Sequence, residues 1–279
     1  MKECYKTDVE AILARRYDNG GDWWATEDLR IFKGSPFSTL ESVLMLAELE
    51  MGLGHEVGDF SEVMREAGAL MLRLWREDGR FQVAPKSAIY PCQTASVARA
   101  LCRLGYANDE RLRKTFDHLL RIQHSDGGWR CNVSKFGKGP ETAFSNPGTT
   151  LLVLDAFRYT PYRNDETRLD RAVESLLSHW ETRKPLGPCH YGMGTLFMKV
   201  EYPFFRYNLF FYVYVLSFYE RAKGDARFVE ALNVLRSKAV RGEMCVENPN
   251  RKLAAFSFCR KGEVSALATL RFDEILRNV

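Results

Sequence analysis

One spacing recurs along this chain and constrains its fold more than any other feature. Around Trp129 it reads Leu119-x-x-x-Gln123-x-x-x-Gly127-Gly128-Trp129. Upstream it reads Met71-x-x-x-Trp75-x-x-x-Gly79-Arg80-Phe81, and near the start Leu13-x-x-x-Tyr17-x-x-x-Gly21-Asp22-Trp23. Residues four apart share a helix face, the glycine can take the left-handed conformation that ends a helix, and the aromatic can fold back onto that end. Looser copies follow, with Leu176-x-x-x-Trp180 before Gly187 and Leu235-x-x-x-Ala239 before Gly242. The glycines lie 58, 48, 60 and 55 residues apart, and 58 separate Gly242 from Gly21 when counted through the two termini. A period that closes on itself marks a repeat architecture. The 279 residues, which by length alone suggest two domains, therefore read as a single domain spanning 1–279.

Each glycine turn leads through a loop into an apolar helix that opens on small or hydroxyl residues. These segments are Ser38-Thr39-Leu40 to Leu49, Gln93-Thr94-Ala95 to Leu104, Gly148-Thr149-Thr150 to Phe157, and Glu263-Val264-Ser265 to Leu276. The fourth in chain order, Phe205 to Glu220, is strongly aromatic. Their partners are amphipathic and start at capping residues: Ser61-Glu62, Asn108-Asp109-Glu110, Asn164-Asp165-Glu166 and Asp225. The pattern predicts an all-α fold of five helical hairpins, six at most. Apolar helices form an inner wall and amphipathic ones an outer layer. The last hairpin is split, with its inner helix at 263–277 and its outer partner at 8–17, so the termini close the ring. Strand signals are nearly absent, and Val83 to Ile89, with Pro85 and a lysine, reads as a loop.

Composition narrows the function classes. A net charge of +4, from 40 basic and 36 acidic residues, supplies no global field for nucleic acid. With 13% aromatic and 46% apolar residues a chain of this length buries a substantial core and is not mainly disordered. The opening Met-Lys-Glu-Cys-Tyr-Lys-Thr-Asp lacks the apolar core of a signal peptide. The longest apolar stretch, Leu209 to Tyr219, is about half of what a membrane span needs. The seven cysteines are odd in number and include no C-x-x-C pair, which fits reduced thiols. Together these predict a soluble, cytoplasmic protein.

The segment Leu119-x-x-x-Gln123-x-x-x-Gly127-x-Trp129 resembles the QW repeat of squalene and hopene cyclases, and Gln93-Thr94-Ala95 at the next helix start is similar to that family too. The resemblance extends to the wider prenyltransferase/squalene-cyclase group, at repeat level over almost the whole chain and most sharply over about 70–131. It implies an α/α toroid with a central cavity that opens where the glycine loops gather. The catalytic signatures of that group do not carry over. The Asp-x-Asp-Asp acid motif is absent, and the acidic cluster Asp165-Glu166 with Asp170 sits at a helix start, where it complements the dipole. The zinc-binding Asp-x-Cys pair is matched only by Glu243-Met244-Cys245.

Several side chains are candidates for function. In the aromatic run Tyr202 to Tyr214, an inner-wall position would line a cavity with rings that accept isoprenoid chains or stabilise cations. Tyr90, Gln93, Trp129, Tyr191, Arg206, Tyr207, Phe211 and Tyr214 are therefore the expected ligand-binding residues. Basic residues of the loops, Arg80, Lys86, Arg130, Lys135, Lys138, Lys199, Arg206, Arg251, Lys252, Arg260 and Lys261, would hold a diphosphate or carboxylate if gathered at one mouth. Catalysis would fall to His124, Asp126 or His190 as acid or base. Thiolate and imidazole are natural zinc ligands, and Cys131, Cys189, His190 and Cys245 are the candidate set. Cys189-His190, followed by Tyr191-Gly192, also resembles the zinc motif of lanthipeptide cyclases. Phe136-Gly137-Lys138-Gly139-Pro140 reads as a lid or a turn. The leading expectation is a prenyltransferase- or terpene-cyclase-like protein that binds a small apolar ligand, a diphosphate-bearing one included. Alternatives are a non-catalytic helical-repeat binding protein and a zinc-dependent transferase or lyase.

Overall fold

The computed structural model describes residues 2–53, 61–131, 133 and 138–279, with the side chains of 2–4 and 53 excepted. Lys135, Phe136, Gly137 and the Cys4 thiol lie outside the described residues. The helices are α1 (Lys2–Leu13), α2 (Thr39–Leu53), α3 (Ser61–Leu72), α4 (Pro91–Leu101), α5 (Glu110–Arg121), α6 (Pro147–Phe157), α7 (Thr167–Thr182), α8 (Leu209–Leu216), the short α9 (Glu220–Lys223), α10 (Ala226–Arg236) and α11 (Ala266–Asn278). Among the described residues the only named strands are β1 (Ala239–Val240) and β2 (Glu243–Met244), paired antiparallel with Ala239 opposite Met244. The all-α reading holds, and 83–89 is a loop.

The capping chemistry sets the helix starts. Asp109, Glu166 and Asp225 accept from the backbone N–H two residues on, at the starts of α5, α7 and α10. Asn208 accepts from the Phe211 amide at 3.0 Å and fixes the first turn of α8. Each satisfies one of the orphan donors at a helix N-terminus.

Helix packing follows the apolar–amphipathic division. Helix α2 packs on α4, α4 on α6, α6 on α8, α8 on α11, and α11 back on α2. A second set lies against these: α1 on α2, α3 on α2 and α4, α5 on α4, α7 on α6, and α10 on α8. All eight residues of α8 are buried, as are ten of the eleven in α6. Buried apolar residues form one cluster from Tyr5 to Ile275. Helix α11 differs from expectation. Only Leu267, Ala268, Arg271, Phe272 and Ile275 are buried, whereas Leu270 and Leu276 are exposed.

The recurrent turn is also built differently from its prediction. Helices α1, α3 and α5 end at Leu13, Leu72 and Arg121, so Tyr17, Trp75 and Gln123 fall in the turn beyond the helix. Gly79 and Gly127 have φ of +87° and +94°, and a Cβ there would meet the Lys114 carbonyl of α5 or the Arg171 carbonyl of α7 at 2.6 and 2.5 Å. The glycine turn is thus where one unit lies against the outer helix of the next. Gln123 reinforces that joint by donating to the Arg168 carbonyl at 2.7 Å. In the first copy the register shifts: Gly20, not Gly21, has positive φ. Trp24, not Trp23, is buried and donates through Nε1 to the Ile12 carbonyl at 3.0 Å, as Trp129 does to Leu119 at 2.8 Å.

Ionic groups also cross the inner helices, where the sequence predicts apolar and aromatic lining alone. Asp155 of α6 is paired with Arg99 of α4 and, at 2.5 Å, with Arg158. Glu48 of α2 takes both Nε and Nη2 of Arg271 of α11 at 2.8 Å and the Tyr202 hydroxyl at 2.6 Å. Arg271 also bonds Glu274 at 2.6 Å and the Tyr214 hydroxyl at 3.1 Å. Burial pushes the Glu48 carboxyl up, but Arg271 and Arg103 beside it outweigh that and hold it at about 2.

Candidate ligand-binding cleft

A cleft of about 460 Å³ opens between the start of α6 and the segments around 190–197 and 201–211. Gly148 and Leu152 of α6 form one side, and Tyr191, Phe197, Phe205, Tyr207 and Phe211 supply aromatic walls. That size lies within the range of small-molecule sites. Gly148 is required by a close approach: a Cβ there would sit 2.6 Å from the Tyr191 ring. Tyr207 is packed on three sides, edge-on to Tyr191 at 5.6 Å between centroids, tilted to Phe197 at 4.9 Å and stacked on His179 at 5.9 Å. Because the Asn208 cap starts α8 at Leu209, residues 203–207 stay non-helical. Phe205 and Tyr207 therefore stand at the cleft, while Phe210 and Tyr212 are fully buried.

The cleft's polar groups are few. Glu201 is 6% exposed and accepts from Arg206 Nε at 2.6 Å, while Asn248 Nδ2 lies 3.4 Å from its second oxygen. Burial pushes the Glu201 carboxyl above the usual range, opposed by Arg206 and Asn248. Glu201, Phe205 and Arg206 also line a smaller cleft of about 130 Å³ with Ser35, Glu41 and Asn250. His190, at φ +53°, reaches Glu141 with Nε2 at 3.2 Å. Behind Tyr207, His179 is fully buried, with Nδ1 at 2.9 Å from the Tyr207 hydroxyl and Nε2 at 2.9 Å from the Lys184 carbonyl. Burial pushes its pKa down, so the ring is neutral near pH 7.

Of the residues expected from sequence, His190, Tyr191, Arg206, Tyr207 and Phe211 come together here. Trp129 does not. Its ring is fully buried and its indole N–H is spent on Leu119. Tyr214 is likewise buried and bonded to Glu274 at 2.9 Å, within the ionic network. Neither Tyr90 nor Gln93 lines the cleft; the Gln93 Oε1 is buried without a hydrogen bond. Asp126 staples loops, accepting from the Ser145 amide at 2.7 Å, the Ser145 hydroxyl at 2.6 Å and the Gly128 amide at 3.2 Å. His124 Nδ1 lies 3.1 Å from the same carboxylate, away from the cleft, and Asp126 lines a separate pocket with Phe144, Ser145 and His179.

The candidate metal set is divided. Cys189 hydrogen-bonds with Cys131 and accepts from Asn146 Nδ2 at 3.4 Å, whereas Cys245 is in a backbone bridge with Val264. Burial, then the neighbouring Cys131 and Cys189, pushes the Cys92 thiol up to about 11. Among the described residues no three His, Cys, Asp or Glu side chains are grouped as a metal ion requires. Basic residues of the loops are engaged as well: Arg80 with Asp78 at 2.6 Å, Lys199 with Glu247 at 3.8 Å, Arg260 with Glu263 at 3.8 Å, and Lys252 with the Ser35 carbonyl at 3.0 Å.

Sequence reasoning missed Glu201, Asn248, Phe197, Leu152 and His179. Glu201 carried a readable signal, a carboxylate leading directly into the aromatic run. The others are brought in by loop and helix placement alone.

No family model and no curated protein matches the chain. The solved structures similar to it include a crystal structure of a protein from Actinoplanes, with a TM-score of 0.44 and 18% identity over 97% of this chain and 81% of that one. No helix among the described residues is long and apolar enough to cross a membrane.

Proposed function

We propose that the chain is an α/α toroid of the prenyltransferase/squalene-cyclase type, and that it binds a small, largely apolar, isoprenoid-like ligand in the cleft beside Tyr207. The observation that carries this reading is the wall of Tyr191, Phe197, Phe205, Tyr207 and Phe211 around a single 460 Å³ space. The closed cycle of helix contacts and the QW-like turns support the architecture. A non-catalytic binding role is the second reading. It is favoured by the pairing of charged groups at the cleft's edge, Glu201 with Arg206 and His190 with Glu141.

Leu152 faces the cleft from α6 and is only partly buried, so Leu152→Trp should fill the space with little change in stability. Isothermal titration with geraniol should give a measurable Kd for the wild type and none for the variant. Equal affinity for both would place the ligand elsewhere.

A further inference from the structure

An arginine presents its donors on two edges, Nε with one Nη and the Nη pair, and each edge fits a carboxylate. Two arginines of this molecule use both. Arg271 holds Glu48 through Nε and Nη2, and Glu274 through Nη1. Arg227 takes Asp225 through Nε and Nη2, and Glu174 through Nη1 and Nη2. At Arg206 only Nε is spent, on Glu201 at 2.6 Å. Neither Nη has a hydrogen-bond partner among the described residues, and the side chain is 58% exposed where it lines the cleft. The residue is nonetheless held at both ends. The buried Glu201 fixes Nε, and Asn208 Nδ2 donates to the Arg206 carbonyl at 2.9 Å. A fork positioned in this way gives up little freedom when it takes an anion.

We propose that the cleft takes an apolar monocarboxylic acid, with its carboxylate on the Nη pair of Arg206 and its chain against Tyr191, Phe205 and Tyr207. This rests on the ligand-binding reading above and specifies the polar end of that ligand. One free guanidinium edge beside Glu201 matches one negative charge. Among the described residues that line the cleft, Arg206 is the only Lys or Arg, and His190 is paired with Glu141 at 3.2 Å. A diphosphate would therefore bring further negative charge against Glu201 with no cation to meet it. The smaller cleft that Arg206 also borders adds the Glu41 carboxylate and holds only about 130 Å³, so an anion with an apolar body fits the larger one.

The test is a calorimetric titration of the intact protein with three ten-carbon probes: geranic acid, geraniol and geranyl diphosphate. Geranic acid should bind about tenfold tighter than geraniol, the low end for a hydrogen bond to a charged group because Arg206 is more than half exposed. It should also bind tighter than the diphosphate. Arg206→Gln keeps a donor for Glu201 and removes the charged fork. It should bring geranic acid down to the affinity of geraniol and leave geraniol unchanged. Geraniol or the diphosphate binding as tightly as the acid overturns the carboxylate assignment while the apolar cleft stands. An Arg206→Gln protein that keeps the preference for the acid overturns it too. No binding by any of the three overturns the ligand-binding reading itself, and the assignment with it. The wild-type series decides the matter even if the variant fails to fold.

Discussion

Gly127 and Gly105 both have positive φ, +94° and +89°, but their surroundings differ. A Cβ at Gly105 meets nothing within 4 Å, whereas at Gly127 it would press on the Arg171 carbonyl at 2.5 Å. Gly105→Ala should therefore cost only the left-handed strain, about 1 kcal/mol. Gly127→Ala should cost about 1–3 kcal/mol more, because α7 must move to make room. Urea denaturation of the two variants checks the difference, and equal losses would mean that the turn does not abut α7. The glycine–aromatic spacing was legible at this scale because a left-handed turn and a buried ring demand particular residue types. The register of the first copy was not. Choosing Gly20 and Trp24 over Gly21 and Trp23 depends on which indole reaches the Ile12 carbonyl, a contact that local spacing does not encode.

At the scale of helices, the alternation of apolar and amphipathic elements was legible from α2 to α10, since periodicity reports which faces are buried. The aromatic helix expected over Phe205 to Glu220, however, is helical only over Leu209–Leu216, because Asn208 caps it late and Tyr219 precedes a separate short helix. The periodicity also misjudged α11, which buries a narrow stripe. It also missed the ionic network, because an isolated Asp155 or Arg271 in an apolar helix does not announce its partner. The Glu48–Arg271 pair joins α2 to α11 and gives that junction a pH dependence. Glu48 falls from its ordinary 4.5 to about 2 on folding. A carboxyl depressed in the folded state contributes stability that is full above its unfolded pKa and lost as pH falls through the folded one. The wild type should lose roughly 3 kcal/mol from this group between about pH 4.5 and 2. Glu48→Gln should be less stable at pH 7, because Arg271 is left buried without its partner, and its stability should fall less over the acid range. Thermal melts of both proteins from pH 7 to 2 measure this; parallel acid limbs would remove Glu48 from the account.

Across the whole molecule, the first and last helices both pack on α2. Helix α1 packs on α2 and on the turn at Ser257–Cys259, and α11 packs on α2 and α8. Asp8 of α1 accepts the Ser257 amide at 3.1 and 3.0 Å, a contact between residues 249 positions apart. The glycine spacing led to an expected hairpin of 263–277 with 8–17; the structure instead lays α1 on α2 and on the Ser257–Cys259 turn. The cleft was legible only in part: the aromatic run pointed to Tyr207 and Phe211, but only the folded chain brings Gly148, Glu201 and Asn248 to them. The central claim is that this cleft, and no other part of the molecule, takes the ligand. Titrating geraniol into uniformly 15N-labelled protein and following amide shifts tests it most directly. The largest shifts should fall at Gly148, Tyr191, Glu201, Tyr207 and Asn248. Saturating shifts elsewhere, with these five amides unmoved, would contradict it.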